Sequence, residues 1–114
     1  MKKKNVVKEN RDFARIINKG KKYWNDAYSI YYDKNDYGNY RFGISVSKKI
    51  GNAVTRNKIK RQIRMIIDKY KKLYSKNKDY IIIVRRNYIN LNFAEAMDKY
   101  VEIIEKISHT KENI

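Results

Sequence analysis

The residues best suited to do chemistry in this sequence are basic and lie near its middle. Between Asp36 and Asp68 there is no acidic residue, whereas eight lysine and arginine residues fall in that interval. These eight residues are Arg41, Lys48, Lys49, Arg56, Lys58, Lys60, Arg61 and Arg64. Arginine offers paired N–H donors that match a phosphate, and lysine offers a compact positive charge. The segment therefore predicts binding to a polyanion.

A helix through this segment would separate apolar from cationic side chains. At about 100° per residue, one sector collects Ile59, Ile63, Ile66, Ile67, Tyr70 and Tyr74. The neighbouring stripe collects Asn57, Lys60, Arg61 and Arg64. A merely solvated helix face is the ordinary alternative, and an anionic membrane surface is a weaker one because the apolar sector is needed to cover a sheet. The clustering of basic residues without acidic ones favours RNA binding over these two alternatives.

Residues for autonomous catalysis are sparse. The chain has no cysteine, which excludes thiol catalysis, disulfides and cysteine-ligated zinc. We expect the one histidine, His109, in a polar tail that starts at Ser108. Asp68 and Asp79 could be imagined as metal ligands, but we interpret each as a charge partner on a basic surface. No group of His, Asp and Glu residues has the spacing that metal-assisted hydrolysis needs, so we predict no catalytic residue and no metal ligand.

Composition sets the class of protein. The chain has 114 residues, 42% of them hydrophobic, and a formal net charge of +16 from 28 basic and 12 acidic residues. The hydrophobic content predicts one folded domain over residues 1–114. The net charge predicts a positive electrostatic potential that attracts polyanions. No apolar run approaches the roughly 20 residues of a membrane span, and no targeting segment follows the basic N-terminus. We expect a cytoplasmic protein without a membrane partner.

Periodicity predicts the elements that position the basic segment. A first helix over residues 8–19 carries Phe13, Ile16 and Ile17 on one face and ends at Gly20. Alternation predicts strands after residue 23 and over residues 40–47, and an apolar run predicts an inner strand over residues 78–85. The central helix runs from Asn52 to about residue 74, and a closing helix after residue 92 has an apolar face of Phe93, Met97, Val101, Ile104 and Ile107. The expected fold class is α/β (α+β), with the order helix, two or three strands, helix, strand, helix.

The basic segment also resembles a known family signature. Residues 45–64 read SVSKKIGNAVTRNKIKRQIR, and this run closely resembles the signature of the protein subunit of bacterial ribonuclease P. Arg-Asn followed by Lys-Arg and a further Arg is that family's central motif, and the similarity extends from Lys8 to Ile83. The resemblance implies a single-domain sandwich like the second domain of ribosomal protein S5, with a mainly antiparallel sheet and a left-handed βαβ crossover.

The resemblance also implies a function and its residues. Such a subunit binds a catalytic RNA, here expected as a 1:1 complex, and assists removal of the 5′ leader of precursor tRNA, while the RNA and its Mg²⁺ ions perform the hydrolysis. The positions implied to contact the RNA subunit are Arg56, Asn57, Lys58, Lys60, Arg61 and Arg64. The positions implied to contact the leader, between the sheet and the first helix, are Phe13, Ile17, Tyr31, Ser45, Ser47 and Lys49.

Several alternatives remain at this level. Phe13 and Ile17 could simply pack in the core, and Ile17 stands where better-known members often carry an aromatic residue, so only apolar contact remains there. A structural RNA-binding protein of ribosomal type would share the charge and size of this chain. An autonomous nuclease would need its own metal ligands. We also expect the highly charged chain to fold loosely without anions, since repulsion opposes compaction.

Overall fold

A computed structural model describes residues 1–110 and arranges them in three layers, with a four-stranded sheet in the middle. The elements in chain order are α1 (Asn10–Lys19), β1 (Lys21–Trp24), β2 (Tyr28–Lys34), β3 (Arg41–Ser45), α2 (Ala53–Lys69), β4 (Lys78–Val84) and α3 (Phe93–His109). Three short 3-10 turns lie at Lys3–Asn5, Lys71–Leu73 and Arg86–Asn90. This order confirms the predicted fold class, with the first strand region divided into two strands.

The sheet is mainly antiparallel, as expected. Its strand order is β1-β2-β4-β3. The β1–β2 and β2–β4 pairs are antiparallel, whereas β3 and β4 run parallel. The inner position of β4 is confirmed, and its side chains are apolar on both faces because both are covered. The β3–α2–β4 connection is a βαβ crossover, whose left-handed sense stays a prediction.

The larger core lies between the sheet and helices α2 and α3. Helix α2 contributes its predicted isoleucines, Ile59, Ile63, Ile66 and Ile67, all of them buried. Aromatic rings fill the space above β3 and β4, where Phe42 stacks on Tyr80 with centroids 4.7 Å apart. The buried hydroxyls of Tyr74 and Tyr100 are 2.7 Å apart, so two polar groups satisfy each other inside an apolar layer.

The smaller core lies on the other face of the sheet, beneath α1. It consists of Val7, Ile16 and Ile81, with Phe13 and Tyr31 packed against them. Gly20 ends α1 as predicted, and its N–H donates to the Ile16 carbonyl at 2.8 Å. A Cβ at Gly20 would collide with the carbonyl oxygens of Ile16 and Tyr32, so the close approach of two backbones requires glycine there.

Helix boundaries differ from the expectations in three places. Helix α1 begins at Asn10 because Glu9 has extended backbone. Helix α2 ends at Lys69 rather than near residue 74, since a 3-10 turn follows and the Tyr74 hydroxyl donates to the buried helix-end carbonyl of Ile67 at 2.7 Å. Helix α3 continues through His109, so the expected tail from Ser108 is helical up to that residue, and its remainder over 111–114 lies outside the described residues.

The buried face of α3 is rotated from the predicted one. Its buried residues are Ala96, Tyr100, Ile103, Ile104 and Ile107. Phe93 is exposed, and Met97 and Val101 are half-buried. The physical reason is Tyr100, whose ring packs edge-on against Tyr28 with centroids 5.9 Å apart and sets the orientation of the helix. Within residues 1–110, no helix is long and apolar enough to cross a membrane.

Candidate nucleic-acid interface

The start of α2 fixes where its basic side chains point. Asn52 caps the helix, and its Oδ1 accepts the N–H of Thr55 at 2.9 Å. The N–H of Arg56, the first cation of the motif, donates to the Asn52 carbonyl at 2.9 Å. The helical hydrogen bonds therefore begin at Asn52, one turn before Arg56. The cap predicted from sequence is therefore confirmed, and the rotation of α2 is set by its buried isoleucines.

The motif residues form one surface, which we call the α2 stripe: Arg56, Asn57, Lys58, Lys60, Arg61 and Arg64. Arg56 and Lys60 are half-buried, and the other four are exposed. Across the part of the chain that the structure describes, none of the five cations in the stripe pairs with a carboxylate. Their charges are consequently uncompensated, and phosphate groups would complement them.

Arg56 has one donor atom without an acceptor in the described structure. Its Nε is shielded from solvent and has no hydrogen-bond acceptor among residues 1–110. A shielded donor without an acceptor costs free energy, and such groups usually have a partner.

The other predicted surface lies on the sheet face beneath α1. Register places Tyr31 beside Ile81 and Gly43 in one row across the sheet. A Cβ at Gly43 would lie 2.5 Å from Cζ of Phe13, so glycine lets α1 approach the strands closely. Phe13 and Tyr31 are half-buried in the smaller core and share this face, whereas Ile17 is 37% exposed. The structure thus brings Phe13 and Tyr31 together and leaves Ile17 facing solvent.

The remaining predicted leader residues follow β3. Ser45 ends the strand, two residues earlier than predicted, and it is exposed. Ser47 and Lys49 lie in the next turn and are also exposed, and the Ser47 hydroxyl accepts the N–H of Lys49 at 3.2 Å. We call the surface formed by Phe13, Ile17, Tyr31, Ser45, Ser47 and Lys49 the α1 face. It combines aromatic, hydroxyl and cationic groups.

A buried ionic cluster holds α1 on the sheet. It is centred on Asp79, whose side chain has 0% exposure, and we call it the Asp79 cluster: Arg15, Asp33, Asn35, Arg41 and Asp79. Arg41 donates from Nε and Nη2 to the two Asp79 oxygens at 2.7 and 2.6 Å. Arg15 of α1 donates to Asp33 at 2.7 Å and to Asp79 at 2.8 Å, which joins the helix to β2 and β4.

The cluster determines the ionisation of Asp79. Burial by itself acts to raise the pKa of the Asp79 carboxyl, but hydrogen bonds from Arg41 and Asn35 favour the charged form and leave the pKa below its ordinary value. The pKa of Arg41 is raised mainly by the same hydrogen bond to Asp79. Asp79 is therefore a charge partner as predicted, although the prediction that it lies on the surface is wrong.

The other ionisable candidates lie apart from one another. Asp68 pairs with the N-terminal ammonium of Met1 at 3.4 Å, which confirms its role as a charge partner. His109 is exposed in the last turn of α3. Over residues 1–110, no three His, Cys, Asp or Glu side chains come together as a metal-binding group.

The sequence and the fold match one family over nearly the whole chain. The Ribonuclease P family model matches residues 1–108. The chain belongs to the ribonuclease P protein family. It is similar to the ribonuclease P protein component of Mesoplasma florum, with 52% identity over 105 residues that cover 91% of this chain and 96% of that protein.

Solved ribonuclease P proteins share the fold. The Staphylococcus aureus RNase P protein superimposes with a TM-score of 0.79 at 37% identity, covering 92% of this chain and 95% of that chain. The RNase P protein from Thermotoga maritima gives a TM-score of 0.81 at 28% identity and covers 89% and 96%. Membership of the ribonuclease P family is consistent with a role in tRNA processing, and it implies association with the ribonuclease P RNA.

Sequence analysis of this ribonuclease P protein missed the residues that hold α1. Arg15 was not singled out, and Arg41 was counted only as part of the basic segment. Arg41 and Asp79 are direct register partners on the parallel strands β3 and β4, a pairing that the sequence does not display. The sequence itself shows only that each of the two opposite charges directly precedes the apolar residues of its strand, which makes them candidates for a buried pair.

Proposed function

We propose that this protein is the accessory subunit of ribonuclease P and binds its catalytic RNA through the α2 stripe in a 1:1 complex. The observation that carries the proposal is the stripe itself. Five of the motif residues lie within about 140° of the helix circumference and Lys58 flanks them, and the five cations of the set have no carboxylate partner within residues 1–110. A rigid helix presents these donors at fixed spacing, which suits the fixed phosphate spacing of a folded RNA.

The α1 face is proposed to bind the 5′ leader of precursor tRNA. Phe13 and Tyr31 offer rings on which unpaired bases can stack, and Ser45, Ser47 and Lys49 offer polar contacts beside them. Ile17 is exposed and supplies apolar contact only. Because mature tRNA lacks a leader, contacts on this face raise affinity for the precursor without raising affinity for the product.

The hydrolysis itself is assigned to the RNA subunit and its Mg²⁺ ions. Mg²⁺ would activate the attacking water and neutralise the charge that develops on the phosphate. No residue of this protein is given a catalytic role in the proposal. The protein contributes phosphate neutralisation through the α2 stripe and precursor binding through the α1 face, so it lowers the Mg²⁺ concentration that cleavage requires. We propose that the protein acts in the cytoplasm, together with both RNA partners.

The proposal is tested by measuring two affinities. Removing two stripe charges with Arg61→Ala/Arg64→Ala should weaken binding to ribonuclease P RNA by at least about tenfold at moderate salt. Lys72→Ala/Lys106→Ala removes the same charge from exposed positions outside the stripe and serves as the matched control. Equal losses in the two variants would show that net charge, and not the stripe, binds the RNA.

The leader contact is tested separately with Tyr31→Ala. We expect the assembled ribonucleoprotein to lose affinity for precursor tRNA and to keep its affinity for mature tRNA. A protein that binds RNA tightly but gives no preference for precursor over mature tRNA would instead be a structural RNA-binding protein, which is the competing function.

A further inference from the structure

Edge strand β1 presents an aromatic and a cationic side chain that the proposed leader contacts do not include. Trp24, the only tryptophan of the chain, is 62% exposed at the end of β1. In the register of β1 and β2, Lys22 lies opposite Tyr31 and Trp24 lies opposite Ser29. Directly opposed residues of antiparallel strands point to the same face of a sheet. Lys22 and Trp24 therefore lie on the same face as Tyr31.

Trp24 begins a row that crosses the whole sheet. The row consists of successive register partners on β1, β2, β4 and β3, which are Trp24, Ser29, Ile83 and Ser45. At the usual strand spacing it spans about 14 Å. Helix α1 covers the neighbouring row, where Phe13 packs over Gly43. The Trp24 row thus ends at Ser45, which already belongs to the α1 face.

The backbone that carries Trp24 is fixed. The next residue, Asn25, accepts two backbone N–H bonds within its own turn at 2.9 and 3.1 Å, and its side-chain amide donates to the Lys99 carbonyl at 2.8 Å. Arg85 donates to the Asn25 carbonyl at 2.7 Å and adds a positive charge at this turn. On the other face, Tyr23 packs in the larger core. A ligand on the indole would consequently incur little ordering cost in the backbone.

The charge at this position complements a nucleotide. The Lys22 ammonium lies 5.3 Å from the centroid of the Trp24 ring and 5.4 Å from that of the Tyr31 ring. One cation is thus shared by two rings, one of them exposed and one part of the α1 face. An indole surface with an ammonium beside it provides a stacking platform and a phosphate contact for single-stranded RNA.

We propose that Trp24 and Lys22 bind one unpaired nucleotide of the 5′ leader, with its base stacked on the indole and its phosphate at the ammonium. This inference rests on the proposed function, and it extends the leader-binding surface from Tyr31 to the edge of the sheet. Because any base can stack on an indole, affinity at this position should depend on the length of the leader and not on its sequence.

The single tryptophan makes a direct experiment possible. The protein is assembled with ribonuclease P RNA and titrated with precursor tRNAs whose leaders lengthen one nucleotide at a time. A stacked base should change the Trp24 emission once the leader reaches β1, and mature tRNA should leave it unchanged. Trp24→Ala should lose about tenfold in affinity for leaders beyond that length and nothing for shorter ones. Trp24→Phe, which keeps a ring, should lose much less.

The controls separate this inference from the function on which it rests. Ile89→Ala removes an apolar side chain that is 54% exposed elsewhere, and it should behave as wild type. An unchanged affinity of Trp24→Ala for long leaders, or an equal loss for short leaders and mature tRNA, would overturn the nucleotide position while leaving the α2 stripe and Tyr31 effects intact. If wild-type protein gives no preference for precursor at any leader length, the leader proposal itself fails.

Discussion

Replacing Asp79 by asparagine should destabilise the protein far more than any surface charge change. The carboxylate is fully buried, and its Oδ1 accepts from Asn35 and from Arg41 Nε, both at 2.7 Å. Its Oδ2 accepts from Arg15 at 2.8 Å and from Arg41 Nη2 at 2.6 Å. In Asp79→Asn one oxygen becomes an NH₂ group, so two donors, at least one of them from a guanidinium, would face another donor.

The size of the effect follows from the charge left behind. Arg41 has a side chain that is 10% exposed, so losing the carboxylate leaves a buried cation without its main counter-charge. Breaking a buried ion pair from one side costs about 3–5 kcal/mol. A domain of this size has a total stability of about 5–15 kcal/mol, so the variant would keep only a fraction of it.

Denaturant unfolding with a constant sulfate concentration measures this difference. Asp26→Asn is the matched control, since Asp26 pairs with Lys99 at 3.1 Å with side chains 54% and 35% exposed. We expect the control to change the unfolding free energy by less than about 1 kcal/mol. If the two variants are equally stable, the reasoning about the Asp79 cluster is refuted.

Because the pKa of Asp79 is lowered in the folded state, its contribution to the unfolding free energy is fully present above about pH 4 and is lost as the pH falls through that lowered pKa.

Four further predictions concern charge, packing, ionisation and anions. In a salt titration of RNA affinity, Arg61→Ala/Arg64→Ala should reduce the slope of log affinity against log salt by about 1.5, and an unchanged slope would contradict the phosphate contacts. Gly43→Ala should lower the unfolding free energy by about 1–3 kcal/mol and weaken precursor binding, because its Cβ would displace the Phe13 ring. Burial raises the pKa of Tyr88 to about 12 and raises the pKa values of Tyr28, Tyr74 and Tyr100 further, so stability should be complete below about pH 10 and fall as the pH rises above it, which unfolding at a series of pH values would reveal. Circular dichroism should show helical signal growing when sulfate is added, and a complete fold without anions would contradict the charge-repulsion argument.

Much of the fold was predictable because its strongest signals are local. The isoleucines of α2 recur at helical spacing, and the apolar run of β4 has no alternation, which is typical of a strand covered on both faces. The end of α2 and the rotation of α3 were not predictable in this way. They depend on Tyr74, which donates to a helix-end carbonyl, and on Tyr100, which packs against rings from distant elements. Such contacts have no signature in the spacing of residues.

The same distinction between local signals and long-range contacts applies to the candidate site. The α2 stripe was predictable because its six residues lie within one short segment, and helical geometry alone places five of them together with Lys58 beside them. The α1 face required strand register, which brings Tyr31 beside Gly43 across β4. Trp24 escaped notice for the same reason: Lys22 lies on its own strand, but Tyr31 and Ser45 reach this sheet face only through the pairing with other strands. Long-range pairing, and not local propensity, decides which side chains share a surface.

The central claim is that this protein enables a bacterial ribonuclease P RNA to process precursor tRNA. The most direct measurement is cleavage of a 5′-leader precursor at limiting Mg²⁺, with the RNA alone, with wild-type protein and with Arg56→Ala/Arg61→Ala. We predict strong stimulation by the wild-type protein and little by the variant, with the difference diminishing at high Mg²⁺. No stimulation by wild-type protein, or cleavage by the protein without RNA, would contradict the account.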